Sequence, residues 1–227
     1  MAVNGASPMS DTGRPEFREF ETRADASDAL AEALGIDLAR AVQAHGEASL
    51  VVSGGTSPVA MFHALREKML PWQNVSVIPS DERNVALEHP DRNEAMIRRE
   101  LLVDQAAHAR LLSLLPPGDI PDRFDAVVLG MGDDGHTASL FPDSPDLRRA
   151  LDSQAQLEQL EVPRLGARRI SLTPRALLSS QKIYLLFFGQ EKRQVYETAL
   201  QENDFNRYPV SIVLGQGQVP VTVYWAP

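Results

Sequence analysis

The chain has 227 residues, 43% of them hydrophobic, a formal charge of −9 and no cysteine. That length and apolar content are enough for one large domain with a real core, and the missing cysteines exclude a disulfide framework, a thiol nucleophile and a thiolate metal site, which fits a reducing compartment such as the cytoplasm. No basic excess is available for nucleic acid or acidic membranes, and no run approaches the roughly 18 apolar residues of a membrane span, so neither partner is expected.

Residues 1–15, MAVNGASPMSDTGRP, are small, polar and proline-containing, lack the apolar stretch of a signal peptide, and read as a flexible tail. Residues 16–227 read as a single domain, without an interior linker, low-complexity tract or repeat. Residues 25–45 carry apolar side chains at helical spacing and stop at Gly46, which predicts a helix. ASLVV, residues 48–52, is a short buried-type strand that runs into SGGTSP and a helix beginning near Pro58. VSVIPSDER (75–83) is a strand ending in charges, DRNEAMIRRELL (91–102) a helix, and FDAVVLGMGDDG (124–135) a strand entering a glycine-rich turn. RRISLT (168–173) and PRALLSS (174–180) repeat strand and short helix, as do KIYLLFFG (182–189) and QEKRQVYETALQ (190–201); VTVYW (221–225) is a last strand. Such alternation predicts an α/β fold: three layers, doubly wound, with a mostly parallel sheet and helices on both faces. Ligands of such sheets bind beyond the carboxyl ends of the strands. That rule selects residues 53–58, 80–83, 130–142 and the end of KIYLLFFGQEK.

In SGGTSP, Gly54 and Gly55 let backbone approach a ligand, Thr56 and Ser57 supply hydroxyls, and the helix start offers free N–H groups to an anion. The same residues also suit a plain turn with Ser57 as helix cap, and taken alone they leave both readings open. The lysine of a nucleotide P-loop is missing, as is the frame of a nucleophile elbow around Ser53. Asp81, Glu82 and Arg83 read by themselves as a solvated turn. Four of the five histidines, His45, His63, His89 and His108, fall in helices or polar segments as surface or structural residues. His136 differs: it follows a strand end and a glycine, beside Asp133 and Asp134, where an imidazole with a pKa near its usual value of about 6.5 is a competent base. GMGDDG matches the dinucleotide pattern GxGxxG, but HTASLFPDSPDL follows where a helix is needed, and two acidic residues inside the turn would repel a pyrophosphate. The dinucleotide reading is set aside.

SGGTSP, SDER, GMGDDGHTASLFP, RISLT and the late GQEK occur in an order and spacing that resemble the 6-phosphogluconolactonase family over essentially all of the chain after the tail. DGHTASLFP is the most specific of these pieces. The resemblance implies the three-layer α/β fold shared with sugar-phosphate isomerases and deaminases. It also implies hydrolysis of 6-phospho-D-glucono-1,5-lactone to 6-phosphogluconate in the oxidative pentose phosphate pathway, with no cofactor and no metal. It assigns His136 as the general base that activates water, with Asp134 as the candidate to orient it. Arg169 and Lys192 match phosphate-binding positions; Gly54, Gly55, Thr56, Ser57, Asp81 and Arg83 complete the expected substrate-binding set. The partner implied is a small phosphosugar lactone, and the expected assembly a monomer or small homo-oligomer. Two departures stand out. The first loop exchanges the order of its hydroxyl residues, Thr56 before Ser57, and Arg92 stands where a serine is common before asparagine, which leaves the role of the Arg92–Asn93 segment unassigned. Related deaminases carry asparagine before the glycine–histidine pair and an acidic residue soon after, whereas Asp134 and TASLFP occupy those places here. Sugar-phosphate sensors of this fold carry a DNA-binding segment that fifteen tail residues are too few to form.

Overall fold

Apolar residues three and four apart (Leu30, Leu34, Leu38, Ala41) line one side of helix α1 (Arg23–His45) and are buried. Its start is fixed by Thr22, whose side chain accepts from the Asp25 amide at 3.1 Å, and its end by Gly46 at φ 86°, a left-handed turn natural to glycine. The computed structural model describes residues 13–227, so residues 1–12 of the expected tail lie outside the described residues. Around α1, in chain order, come β1 (Glu16–Glu19), β2 (Ala48–Val52), α2 (Val59–Arg66), β3 (Val75–Pro79), β4 (Asp81–Arg83), α3 (Asn93–Glu100), β5 (Arg110–Leu111) and β6 (Ala126–Gly130). They are followed by α4 (Leu147–Asp152), β7 (Leu157–Leu160), β8 (Arg169–Leu172), α5 (Pro174–Leu178), β9 (Ile183–Phe188), α6 (Gln190–Glu202), α7 (Ser211–Leu214) and β10 (Val221–Ala226).

Among the described residues, seven strands form a parallel sheet in the order β1-β10-β9-β6-β2-β3-β5. Successive side chains of a strand point to opposite faces, and here they feed two separate cores. Leu50, Val52, Val77, Val128, Tyr184 and Leu186 pack against α1, α2 and α3, whereas Val51, Ile78, Val127, Leu129, Leu185 and Phe187 pack against α5, α6 and α7. Helices therefore cover both faces, and the protein is a three-layer α/β fold. Truncating one of these side chains, as in Leu34→Ala, costs about 2 to 5 kcal/mol through lost burial and the cavity left behind.

The chain builds β2, β3 and β5 outward on one side, then returns to place β6 on the other side of β2 and continues through β9 and β10. This reversal between β2 and β6 is a topological switch point, and the loops leaving the two strands diverge there to open a crevice.

The segment 75–83, expected as one strand, is two. Pro79 has no N–H for the ladder, and Ser80 bridges away: its amide donates to Val52 O at 2.8 Å and its carbonyl accepts from Leu172 N at 2.9 Å. The next three residues, β4, join a second, antiparallel sheet in the order β4-β8-β7. The solvated-turn reading of SDER is thereby corrected, because Asp81 and Glu82 are buried. Glu82 ends up as the cap of α3: its carboxylate accepts from the amides of Asn93 at 2.8 Å and Glu94 at 2.9 Å.

Candidate active site

Beyond the carboxyl end of β2, the amides of Gly54, Gly55, Thr56 and Ser57 make no hydrogen bond to any described residue. Ser57 is not the helix cap; Pro58 occupies that position, without a side-chain cap bond. The loop therefore presents free N–H groups and hydroxyls at the crevice. Gly54 is needed for close packing, since a Cβ there would lie 2.0 Å from Asn93 Oδ1. Asn93 is held in turn by its side-chain Nδ2, which donates to Asp81 O at 2.7 Å.

The loop after β6 curls back on itself. Gly132 N donates to His136 O at 2.9 Å and Gly135, at φ 76°, turns the chain between them. This curl lays the imidazole directly over Gly132, where an added Cβ would meet Nδ1 at 2.0 Å and Cε1 at 2.1 Å. The glycines that resemble a nucleotide fingerprint are thus what allow the histidine to be seated. Asp134 Oδ1 lies 2.5 Å from His136 Nδ1 and also accepts from the His136 amide at 3.1 Å. A carboxylate at Nδ1 fixes the tautomer with the proton there, leaving Nε2 as the acceptor. The Phe141 ring stacks on the imidazole at 4.0 Å.

Both loops open into one cavity of about 420 Å³, lined also by Asp81, Arg83, Asn93, Phe141, Arg164, Arg169 and Lys192. Four of its side chains are cationic and one, Asp81, is acidic, a local reversal of the chain's overall charge of −9. Lys192, from the first turn of α6, is aimed by a 2.7 Å bond to Met131 O. Arg169 is nearly buried, and its Nε has no hydrogen-bond partner among the described residues. Burial pulls the Arg169 pKa down; Asp81 opposes this, and Arg83 and Arg164 add to it. Four cations gathered around one cavity hold one another's charge in an unfavourable arrangement that a negative charge would relieve. Asp81 has one oxygen 3.9 Å from Arg169 and accepts from the hydroxyls of Ser139 at 2.5 Å and Ser80 at 3.0 Å, so it ties the wall of the cavity to the histidine loop.

Burial raises the Asp134 carboxyl, but the hydrogen bond and charge of His136, followed by Arg164, outweigh it and hold the group well below the usual carboxylate range.

Every residue expected in the substrate-binding set lines this cavity, as does His136, and Asp134 stands behind the imidazole. Sequence reasoning missed Arg164, Asn93 and Phe141. Phe141 sits within the quoted HTASLFP and Asn93 directly after the questioned Arg92, whereas Arg164, in a short turn between two strands, carried no local signal. Arg92 itself points away from the cavity, buried against Glu94 at 2.8 Å and Glu82 at 3.6 Å. Among the described residues no cluster of histidine and carboxylate side chains is arranged to hold a metal ion.

The fold and site define an α/β protein with a cation-lined cavity at its switch point, facing a histidine bonded to a carboxylate. The family model for glucosamine-6-phosphate isomerases/6-phosphogluconolactonase matches residues 21–116 and 105–225. A 6-phosphogluconolactonase of Pseudomonas aeruginosa is 40% identical over 222 residues, covering 90% of this chain and 92% of the relative. The crystal structure of a 6-phosphogluconolactonase from Shewanella baltica superposes with a TM-score of 0.91 at 36% identity, covering 94% of this chain and 98% of the other. A monomeric glucosamine-6-phosphate deaminase shares the fold, with a TM-score of 0.72 at 17% identity over 93% of this chain and 97% of its own. The chain belongs to the glucosamine-6-phosphate isomerase/6-phosphogluconolactonase family.

Proposed function

We propose that this protein hydrolyses 6-phospho-D-glucono-1,5-lactone to 6-phosphogluconate in the oxidative pentose phosphate pathway, with His136 as the general base. The observation that carries the reading is the 2.5 Å contact of Asp134 with His136 Nδ1 at the edge of a cavity whose lining includes four cationic side chains. The substrate phosphate binds the amides of residues 54–57 with Arg169 and Lys192, where charge-assisted hydrogen bonds are strong. Arg83 faces the same cavity, and Asp81 holds Arg169 in place. The lactone ring then extends toward His136. Nε2 removes a proton from water as its oxygen bonds to the lactone carbonyl carbon; the carbonyl electrons move onto oxygen, and on their return the bond to the ring oxygen breaks. The imidazolium hands its proton to that leaving oxygen, which becomes the free hydroxyl of the product. The 40% identity to a 6-phosphogluconolactonase supports the substrate. A cytoplasmic location belongs to the same reading and is supported by the cysteine-free composition, which suits a reducing compartment.

The test is lactone hydrolysis with the spontaneous rate subtracted, per folded active site. His136→Ala is expected to lower turnover by about 10² to 10⁴, the usual contribution of a positioned base, with little change in thermal unfolding. Arg169→Ala should weaken binding of the phosphorylated lactone by about 2 to 5 kcal/mol, and plain gluconolactone should be a poor substrate. Near-normal turnover in well-folded His136→Ala overturns the catalytic assignment, and equal efficiency on both lactones overturns the phosphate site.

A further inference from the structure

A carboxylate bonded to an imidazole does two things at once. It orients the ring, and it stabilises the protonated form, which has no lone pair left to accept a proton from water. An acid partner at 2.5 Å therefore opposes the role proposed for His136 unless its charge is shared. We propose that Arg164 is the positioning residue that shares it, occupying the outer oxygen of Asp134 so that the carboxylate aims His136 while leaving the imidazole neutral and able to accept a proton. This rests on the reading of His136 as the base.

The two oxygens of Asp134 are divided between partners: Oδ1 faces His136, and Oδ2 is bonded to Arg164 Nη2. Arg164 does not reach this place by chance of a long side chain. Its Nε is 2.7 Å from Asp143 Oδ2, and its guanidinium lies 5.1 Å from the centre of the Phe141 ring, the ring that also stacks on the imidazole. Three anchors on the histidine loop, Asp134, Phe141 and Asp143, thus hold one arginine from another segment. That segment is a tight turn over Pro163–Leu165, closed by Gly166 at φ 72° and rooted by the buried Val162.

Other charged groups surround the imidazole. Asp81 and Arg83 come from β4, Arg169 from β8 and Lys192 from α6, while Asp133 and Asp143 belong to the histidine's own loop. Lys192 is 3.8 Å from Asp133 and Arg169 is 3.9 Å from Asp81, so each of these cations already has an acidic neighbour. Among the described charged side chains other than His136 itself, Arg164 alone touches the carboxylate that touches the histidine. The depressed Asp134 carboxyl is consistent with this placement between two partners.

The experiment compares the pH dependence of kcat and the ring-proton NMR titration of His136 in wild type, Arg164→Gln, Arg164→Lys and Arg164→Met. The resonance is assigned by its loss in His136→Ala. With the positive charge removed, the acid limb of kcat and the NMR midpoint of His136 should both move up by about half to one pH unit, the size of one partly solvated charge a few ångströms away. Arg164→Lys should keep both near the wild-type values. Arg164→Met, which retains packing over Phe141, gives the same reading should the glutamine variant fold poorly. An unmoved NMR midpoint in the folded neutral variants overturns the proposal, and a rise in KM alone identifies Arg164 as a phosphate contact instead. Should His136→Ala retain the acid limb of kcat, the base assignment fails, while the NMR midpoint still decides the influence of Arg164 on the ring.

Discussion

Gly132 illustrates how a residue with no side chain controls the placement of the proposed base. The imidazole of His136 occupies the space a Cβ would need, with Nδ1 only 2.0 Å from the position that carbon would take. Gly132→Ala must therefore displace the ring, the Asp134 carboxylate or the backbone. Because a displacement of about 1 Å at a catalytic group can cost on the order of 10²-fold in rate, Gly132→Ala is expected to lose most of its kcat while still binding phosphosugar through the opposite wall of the cavity. Steady-state kinetics together with a binding measurement for 6-phosphogluconate checks this. A wild-type kcat in the alanine variant would mean that the ring has another productive position.

Among the elements, α3 depends on a side chain contributed by a different segment. Its own preceding residue, Arg92, makes no side-chain cap bond, and the orphan amides at its start are taken by Glu82 of β4, which also accepts from the Arg83 amide at 2.7 Å. Arg92 lies between Glu82 and Glu94 and is itself buried, so the three charges form one interior network. Glu82→Ala would leave buried amides without a partner and remove one of the two carboxylates beside Arg92. Loss of one partner from a buried ion pair costs about 3 to 5 kcal/mol, and a clear drop in the denaturation midpoint is expected. Asn93, the first residue of α3, also packs against Gly54, so a KM increase should accompany the loss of stability. Unchanged unfolding of Glu82→Ala would show that water replaces the cap at no cost.

At the scale of the whole molecule, the acidic surface and the basic crevice respond differently to pH. The Asp134 carboxyl is held below its ordinary value in the folded protein, the opposing effect of burial being exceeded by His136 and Arg164. Its stabilising contribution is accordingly complete above the unfolded value of about 4 and is lost as pH falls below that toward the folded value. Asp134→Asn should therefore be less stable than wild type at neutral pH, with the gap closing in urea titrations carried out below about pH 4. A gap that stays constant down to the acid-unfolding region would place the stabilisation elsewhere. The neighbouring cations need no such acid test, since arginine stays charged throughout this range.

Much of this architecture is written locally. The apolar spacing of α1, the glycine that stops it, and the short apolar runs of β2, β6, β9 and β10 specify their elements through nearest-neighbour physics, and their alternation selects a parallel sheet with ligands at its carboxyl edge. His136 was legible for the same reason, as an imidazole placed just beyond a strand end. Other features depend on segments far apart in the chain. The break at Ser80 required Leu172 and Val52 on either side of it, and the burial of Asp81 and Glu82 required α3 and Ser139 to arrive as partners. A run of three charges reads as solvated until those partners are known, because burial is a property of the packed chain and not of the run. Arg164 is the extreme case: thirty residues separate it from Asp134, and nothing in EVPRLGARR indicates that its turn closes over the histidine loop. Residue types and spacings settled which groups the chain could bring to a site, whereas the order of the strands and the direction of their loops decided which of those groups meet, since hydrogen bonds and ion pairs act over a few ångströms whatever the separation along the sequence.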